Sequence, residues 1–221
     1  MIALEGNEGG SIVTASVTSD GRREFIEEKL GGKHIRFKRG YKNVIDEAIR
    51  RTNLGENSPL AIETSGHAAF KENYYLDDGA YLVTKIIIKA AVLRKENKKI
   101  GDCIADLKKP LEEKELRFNI TEENFRVIGE KLIEDIKRLA EESDEMILAP
   151  DNYEGVRVSF KDENRNGWFL LRLSVHDPVM PFNTESDSEG GCIEICKTFY
   201  EIVKNVKGVD FTPLQDFIKM S

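Results

Sequence analysis

Residues 63–67, Glu-Thr-Ser-Gly-His, follow the apolar run Leu-Ala-Ile directly. That run predicts a short buried strand, and in α/β sheets ligands bind just beyond the carboxyl ends of strands. In an extended loop the carboxylate of Glu63 and the hydroxyl of Ser65 project to the same side, where they can bind adjacent hydroxyls of a sugar ring. His67 adds an imidazole that can donate or accept a proton. The alternative is an ordinary polar turn.

A second polar cluster, Arg-Leu-Ser-Val-His-Asp-Pro at 172–178, ends an aromatic and apolar run that predicts a strand over 168–174. Arg172 and Ser174 alternate onto one face of that strand. A planar guanidinium, a hydroxyl and the N–H groups of the turn would suffice to hold a phosphate monoester. The alternative is a strand end with an exposed arginine and a turn closed by proline.

Other residues could add contacts to an anion. Lys42 follows a glycine turn and opens a predicted helix, where its ammonium could meet a phosphate or could simply be solvated. Arg157 belongs to a predicted strand and could be an ion-pair partner or a phosphate contact. Further contacts could come from Asn183, Glu185, Ser186 and the Gly190-Gly191 pair before a helix.

The elements that must position these residues fall into two groups. The first half alternates strand and helix patterns, and a strand–helix–strand unit implies parallel pairing with a right-handed crossover. The expected elements are a strand at 11–16, a helix at 20–30, a strand at 34–38, a helix at 41–51, a strand at 60–64, and a helix at 79–95 capped by Asp77 and Asp78.

Beyond the charged, proline-containing linker predicted at 108–114, the pattern changes to helices grouped with alternating strands. The expected elements are a strand at 115–120, a long helix capped by Thr121, strands at 156–160, 168–174 and 180–186, and a last helix at 193–206. We therefore predict an α/β domain over 1–110 with a βαβ mixed sheet, and a smaller α+β domain over 111–221 with an antiparallel sheet packed by helices.

Charge and cysteine content narrow the functional class. The formal net charge of −7 over 221 residues opposes binding to nucleic acid or an anionic membrane. Three cysteines, an odd number, and the lack of a basic-then-apolar leader predict a cytoplasmic protein. Cys192 and Cys196 would share one helix face, and we interpret them as buried helix residues rather than a metal pair.

The stretch ETSGHAAFKENYYLDDG at 63–79 resembles the sugar-binding loop of the α-D-phosphohexomutases, the phosphoglucomutase and phosphomannomutase family. That loop reads Glu-x-Ser-Gly-His, followed later by Asp-Asp-Gly. Residues 40–42 resemble the family's Gly-x-Lys turn, and 155–157, 167–168 and 172–174 resemble the run into its phosphate-binding loop. The resemblance extends over 11–206 and corresponds to the third and fourth of the family's domains, the fourth being TBP-like.

The resemblance implies reversible transfer of phosphate between the 1- and 6-positions of a hexose, through a bisphosphate intermediate and an enzyme phosphoserine. It implies that Glu63 and Ser65 bind the sugar, with His67 nearby as a candidate proton-transfer group. Lys42 would lie beside the reacting phosphate. The distal phosphate would be bound by Arg172, Ser174 and His176.

The same resemblance implies cofactors and partners. The full-length enzyme would use Mg²⁺, with ligands outside this chain, and a hexose bisphosphate activator. The partners would be a hexose phosphate and the N-terminal domains 1 and 2, with no nucleic acid and no membrane.

Three features depart from the family pattern. Val175 and His176 stand where the phosphate loop usually has Gly or Asn and then Thr, so an imidazole would replace a hydroxyl donor. The sequence holds no Thr-Ala-Ser-His-Asn-Pro motif and no Asp-x-Asp-x-Asp metal loop. Thr14-Ala15-Ser16 continues as Val-Thr, so we do not assign Ser16 as the nucleophile. The helix that opens the family's third domain is also missing before the first predicted strand.

We therefore interpret the chain as the carboxyl-terminal portion of a mutase, inactive without its upstream domains. The alternative is a stand-alone sugar-phosphate-binding module, or a subunit that completes an active site in trans. A third interpretation is an α/β plus α+β scaffold that binds no ligand.

Overall fold

A computed structural model of the chain describes residues 1–150 and 152–220. The chain divides into two units, Met1–Lys109 and Pro110–Ser221, and the division falls within the charged segment at 108–114. Of the helices in the described ranges, none has the length and apolar character needed to cross a membrane.

Unit 1 alternates strands and helices. Its strands are β1 (Ser11–Ala15), β2 (Lys33–Phe37), β3 (Leu60–Ile62) and β4 (Ala68–Phe70). Its helices are α1 (Asp20–Glu24), continued by a π-helical turn at Phe25–Lys29, α2 (Tyr41–Asn53) and α3 (Gly79–Lys95). Short 3₁₀ turns occur at Ile2–Leu4, Lys71–Asn73 and Ile100–Ile104.

The sheet of unit 1 has the order β2-β1-β3-β4. β1 pairs in parallel with both β2 and β3, whereas β4 returns antiparallel to β3, which confirms the predicted mixed sheet. Side chains alternate across β1, so Val13 and Ala15 pack against Val44 and Ala48 of α2. Ile12 faces the opposite layer, with Leu4, Phe70, Ile26 and Tyr81. The unit is therefore a sheet between two helical layers.

This topology decides where polar loops gather. β1, β2 and β3 run parallel, so their carboxyl ends, Ala15, Phe37 and Ile62, meet at one edge of the sheet. The segments that follow β2 and β3 are the glycine turn before α2 and the loop at 63–67. The topology therefore brings the two segments with candidate ligand-binding residues to the same edge.

Unit 2 combines strands and helices in a different order. Its strands are β5 (Glu112–Ile120), β6 (Ile147–Leu148), β7 (Val156–Phe160), β8 (Gly167–Leu171), β9 (Val179–Ser186) and β10 (Val209–Asp210). Its helices are α4 (Phe125–Glu141), α5 (Gly191–Val203) and α6 (Thr212–Lys219).

The sheet of unit 2 is antiparallel, in the order β10-β5-β9-β8-β7-β6, as predicted for an α+β unit. One face carries an aromatic cluster in which Phe118, Phe169 and Phe182 surround Phe199 of α5. The helix α4 adds Leu132, Ile133, Ile136 and Ala140, whose spacing of three and four residues forms one buried stripe. Burial of these side chains fixes the helices onto one face of the sheet.

Several element boundaries differ from the sequence-based expectation. β5 begins at Glu112, inside the predicted linker, because Glu112 pairs with Ser186 of β9. Thr121 does not cap α4, because the helix begins at Phe125 and Asn124 occupies the N-cap position, without a capping hydrogen bond from its side chain. β8 ends at Leu171 rather than at 174. The helix predicted to be last is followed by β10 and α6, whose Leu214 is fully buried.

Candidate functional site

The loop at 63–67 is the turn between the antiparallel strands β3 and β4. The N–H of Glu63 donates to the carbonyl of His67 at 2.9 Å, and the N–H of Gly66 donates to the carbonyl of Glu63 at 3.0 Å. The loop is thus a tight polar turn at the edge of the sheet where β1, β2 and β3 end.

The carboxylate of Glu63 links this loop to the turn before α2. Its Oε1 accepts the backbone N–H of Gly40 at 2.9 Å, and its Oε2 accepts the hydroxyl of Ser65 at 2.5 Å. Gly40 has a φ of 108°, which L side chains rarely adopt, so the turn requires glycine at this position. The structure therefore brings Glu63, Ser65 and the start of the Gly-x-Lys turn together.

His67 contacts two residues that sequence reasoning did not connect to it. Its Nδ1 lies 2.7 Å from Oδ2 of Asp77, and its ring stacks on Tyr41 with centroids 4.7 Å apart. Asp77 and Asp78 were both predicted to cap α3; Asp78 does so by accepting the N–H of Tyr81, whereas Asp77 contacts His67. The spacing between His67 and Asp77 in the motif was the signal that could have indicated this pair.

Lys42 lies in the first turn of α2 with its side chain 77% exposed. Its ammonium pairs with Asp46 at 2.7 Å, and the hydrogen bond to this carboxylate raises the pKa of Lys42 above its usual value. The lysine therefore stays cationic at neutral pH. Lys42 follows Tyr41, whose ring stacks on His67, so Lys42 lies at the same edge of the sheet as His67. Its ion pair with Asp46 joins residues one helical turn apart on α2.

Ser16 follows β1 at the same edge and is buried, with 7% of its surface exposed. Nearby, the buried guanidinium of Arg36 donates to the carbonyl of Thr18 and pairs with Asp20. These contacts close the segment after β1 against the sheet.

In unit 2, residues 172–178 connect β8 to β9. The N–H of Arg172 donates to the carbonyl of Pro181 at 3.1 Å, and the N–H of Ser174 donates to that of Val179 at 2.9 Å, which extends the β8–β9 ladder. The hydroxyl of Ser174 accepts the N–H of Asp177 at 3.3 Å. Arg172 and Ser174 are half-buried and His176 is exposed at the tip.

Two residues outside the predicted set support this loop. Arg126, in the first turn of α4, donates through Nη2 to the carbonyl of Val175 at 2.6 Å. Gly155 packs so closely that a Cβ there would lie 2.1 Å from the carbonyl oxygen of Leu171. The guanidinium of Arg157 stacks on Trp168, 3.4 Å from the ring centre, which is a cation–π contact. Whether Arg157 also contacts a phosphate stays a prediction.

The expectation that Glu185, Ser186 and the Gly190-Gly191 pair would add donors to this loop is wrong, whereas Asn183 pairs with Leu170 near the end of β8 and its role stays a prediction. Ser186 pairs with Gly167 at the start of β8, whereas Arg172 follows the end of β8, so the two lie at opposite ends of this strand. The N-terminus of α5 is also occupied, because the N–H groups of Gly190 and Cys192 donate to the carboxylate of Glu112.

Cys192 and Cys196 are buried on α5, as predicted. Burial raises the pKa of Cys192 to about 11 and that of Cys196 to about 12, so both are neutral thiols near pH 7. Within residues 1–150 and 152–220, no three His, Cys, Asp or Glu side chains form a group that could hold a metal ion.

Residues 2–111 match the family described as phosphoglucomutase/phosphomannomutase, alpha/beta/alpha domain III. The chain belongs to this family of phosphohexomutases. It is 28% identical over 187 residues to a phosphomannomutase/phosphoglucomutase of Pseudomonas putida, covering 84% of this chain and 36% of that protein. It is 27% identical over 184 residues to a phosphomannomutase of Methanocaldococcus jannaschii, covering 83% and 34%. This phosphohexomutase chain thus spans about a third of the length of these curated relatives.

Solved structures show the same fold. A phosphoglucomutase/phosphomannomutase family protein from Burkholderia thailandensis matches with a TM-score of 0.68 at 23% identity, over 92% of this chain and 39% of that one. The N-acetylphosphoglucosamine mutase of Aspergillus fumigatus, solved with GlcNAc-6P and magnesium, matches with a TM-score of 0.53 at 11% identity, over 93% and 40%. The two units of this chain therefore have the fold of phosphohexomutase C-terminal domains.

Proposed function

We propose that this chain is the sugar- and phosphate-binding portion of a mutase that interconverts hexose 1-phosphate and hexose 6-phosphate through a bisphosphate intermediate. Glu63 and Ser65 bind sugar hydroxyls, and Lys42 neutralises the reacting phosphate. The distal phosphate is held in unit 2 by Arg172, Ser174 and His176. In this proposal the phosphoserine and the Mg²⁺ ligands come from domains 1 and 2 of the full-length protein.

The main support is the pair of hydrogen bonds that Glu63 accepts from Gly40 and Ser65. A carboxylate already held on one side by protein donors presents its remaining lone pairs in a fixed direction, as recognition of adjacent hydroxyls requires. The chain's membership of the phosphohexomutase family supports a hexose phosphate as the ligand, because this ligand carries adjacent hydroxyls together with a phosphate.

Titration of the isolated chain with three ligands, followed by backbone amide chemical shifts, tests the assignment of each loop. Glucose should shift the amides at 63–67, inorganic phosphate those at 172–178, and glucose 6-phosphate both sets. Arg172→Ala should abolish the phosphate response, whereas Arg117→Ala, which removes an exposed arginine paired with Glu115, should leave it unchanged. Shifts in neither loop would contradict the proposal.

Activity and affinity separate this proposal from a stand-alone binding module. The chain alone, given Mg²⁺ and a glucose bisphosphate, should not interconvert glucose 1-phosphate and glucose 6-phosphate. Calorimetry should give weak binding, in the millimolar range that corresponds to about 4 kcal/mol. Measurable turnover would contradict the proposal that the phosphoserine lies outside this chain. A micromolar Kd, about 8 kcal/mol, would favour the stand-alone binding module.

A further inference from the structure

The imidazole of His67 is held from two directions. Nδ1 lies 2.7 Å from Oδ2 of Asp77, and Tyr41 covers one ring face with planes inclined by 24°. Asp77 is itself fixed by the backbone, because it forms an isolated antiparallel bridge with Ala69 beside β4. The N–H of the next residue, Asp78, donates to the carbonyl of Ala68 at 3.2 Å. The contact between His67 and Asp77 therefore joins two segments whose backbones are already positioned by hydrogen bonds of the sheet.

The chemistry of this contact fixes the proton of a neutral imidazole. An ionised carboxylate can only accept hydrogen bonds, so Nδ1 must carry the proton that joins it to Asp77. The hydrogen bond of one ring nitrogen decides which tautomer is present, and here it leaves Nε2 with its lone pair. Since the ring nitrogens point in different directions, Nε2 is directed away from Asp77.

We propose that Asp77 is a positioning residue, which holds neutral His67 as the Nδ1–H tautomer so that Nε2 accepts a hydrogen bond from a hydroxyl of the bound sugar. Tyr41 restricts rotation of the ring, so the acceptor keeps its direction before the ligand arrives. The ligand part of this inference rests on the proposed function of the loop at 63–67. The tautomer is a property of the ligand-free chain.

Nitrogen correlation spectra of the chain labelled at histidine test the inference. The chain has three histidines, so the spectrum is simple, and a His67→Gln variant assigns the signal. At a pH where His67 is neutral, Nδ1 should be the protonated nitrogen. Asp77→Ala should move the signal to a mixture of both tautomers. As a matched control, Asp46→Ala removes a carboxylate of the same unit that pairs with Lys42, and it should leave the His67 signal unchanged.

The outcomes separate the inference from the proposed function. Protonation of Nε2 in the unsubstituted chain, or an Asp77→Ala spectrum identical to it, would overturn the inference. An unchanged signal of the buried His34 would show that Asp77→Ala still folds. Addition of glucose should then shift Nε2 of His67 in the unsubstituted chain. Absence of that shift, with the Nδ1–H tautomer present, would count against the proposed function and leave the positioning role of Asp77 in place.

Discussion

Glu63 accepts the backbone N–H of Gly40 at 2.9 Å, which ties the loop after β3 to the turn after β2. The two residues are 23 positions apart, and the parallel arrangement of β1, β2 and β3 is what brings them to the same edge. The carboxylate of Glu63 thus joins two loops of unit 1, and in the proposed function it also binds a sugar hydroxyl. Changes at this position should affect both stability and binding.

Glu63→Ala should destabilise unit 1 by about 1–3 kcal/mol, because it leaves the N–H of Gly40 without its charged acceptor. The amide of Gly40 should also exchange faster with solvent. Urea unfolding followed by circular dichroism and hydrogen exchange at Gly40 measure the two effects. Glu72→Ala is the control, since it removes an exposed carboxylate paired with Lys85 and should cost less than about 1 kcal/mol. Equal effects in both variants would show that the Gly40 contact adds no stability.

Gly155→Ala should destabilise unit 2 by about 3 kcal/mol. Its φ of 63° costs an L residue about 1–2 kcal/mol, and the clash with Leu171 adds about 1–3 kcal/mol. Gly190→Ala is the matched control, because its φ is also positive, 71°, but a Cβ there meets open space. Fluorescence of Trp168, the single tryptophan, reports unfolding of this unit. Similar losses for the two variants would rule out the close approach as the cause.

The thiols should differ sharply in reactivity. Cys192 and Cys196 are buried and have raised pKa values, of about 11 and about 12, so few thiolates form near pH 8. Cys103 is partly exposed. A thiol reagent should therefore modify one cysteine per native chain and three after unfolding, and Cys103→Ser should abolish the native reaction. Rapid modification of two or three native thiols would contradict the buried-helix interpretation.

Local pattern was enough to predict elements whose contacts are close in sequence. The residues at 41–51 predicted α2, which buries one face, and the β-branched residues at 11–16 predicted β1, whose five residues are all buried. Contacts distant in sequence were not visible. The charged start of β5 is a strand because β9 pairs with it, and Thr121 lies outside α4, where its N–H donates to the carbonyl of the distant Gly208.

The same limit applies to the candidate site. The residue types of the loop at 63–67 indicated sugar binding, but the hydrogen bond between Glu63 and Gly40 depends on the order of the strands. Asp77 and Asp78 were both predicted as caps because they precede a helix, and Asp78 performs that role while Asp77 contacts His67. Arg126 had no signal at all, since its contact with Val175 spans 49 positions.

The acid sensitivity of unit 1 should depend on Glu47. Its side chain is only 2% exposed and accepts hydrogen bonds from Arg50 at 2.7 Å and Arg51 at 2.7 Å. The hydrogen bond from Arg50, with the charges of both arginines, lowers the pKa of Glu47 below its ordinary value of 4.5. The unfolded chain therefore binds a proton at higher pH than the folded chain does. The stabilisation is complete above about pH 4.5 and is lost as the pH falls through the lower, folded-state pKa.

Glu47→Gln should consequently cost about 3 kcal/mol at pH 7, the lower end expected for breaking a buried ion pair, and progressively less at acid pH. Urea unfolding of both chains by circular dichroism at several pH values between 7 and 3 gives the difference directly. Glu28→Gln, an exposed position of the same unit, is the control and should shift the curve little at any pH. Parallel stability curves for Glu47→Gln and the unsubstituted chain would show that this carboxylate is equally easy to protonate in the folded and unfolded states, and the ion pair would then not be the source of acid sensitivity.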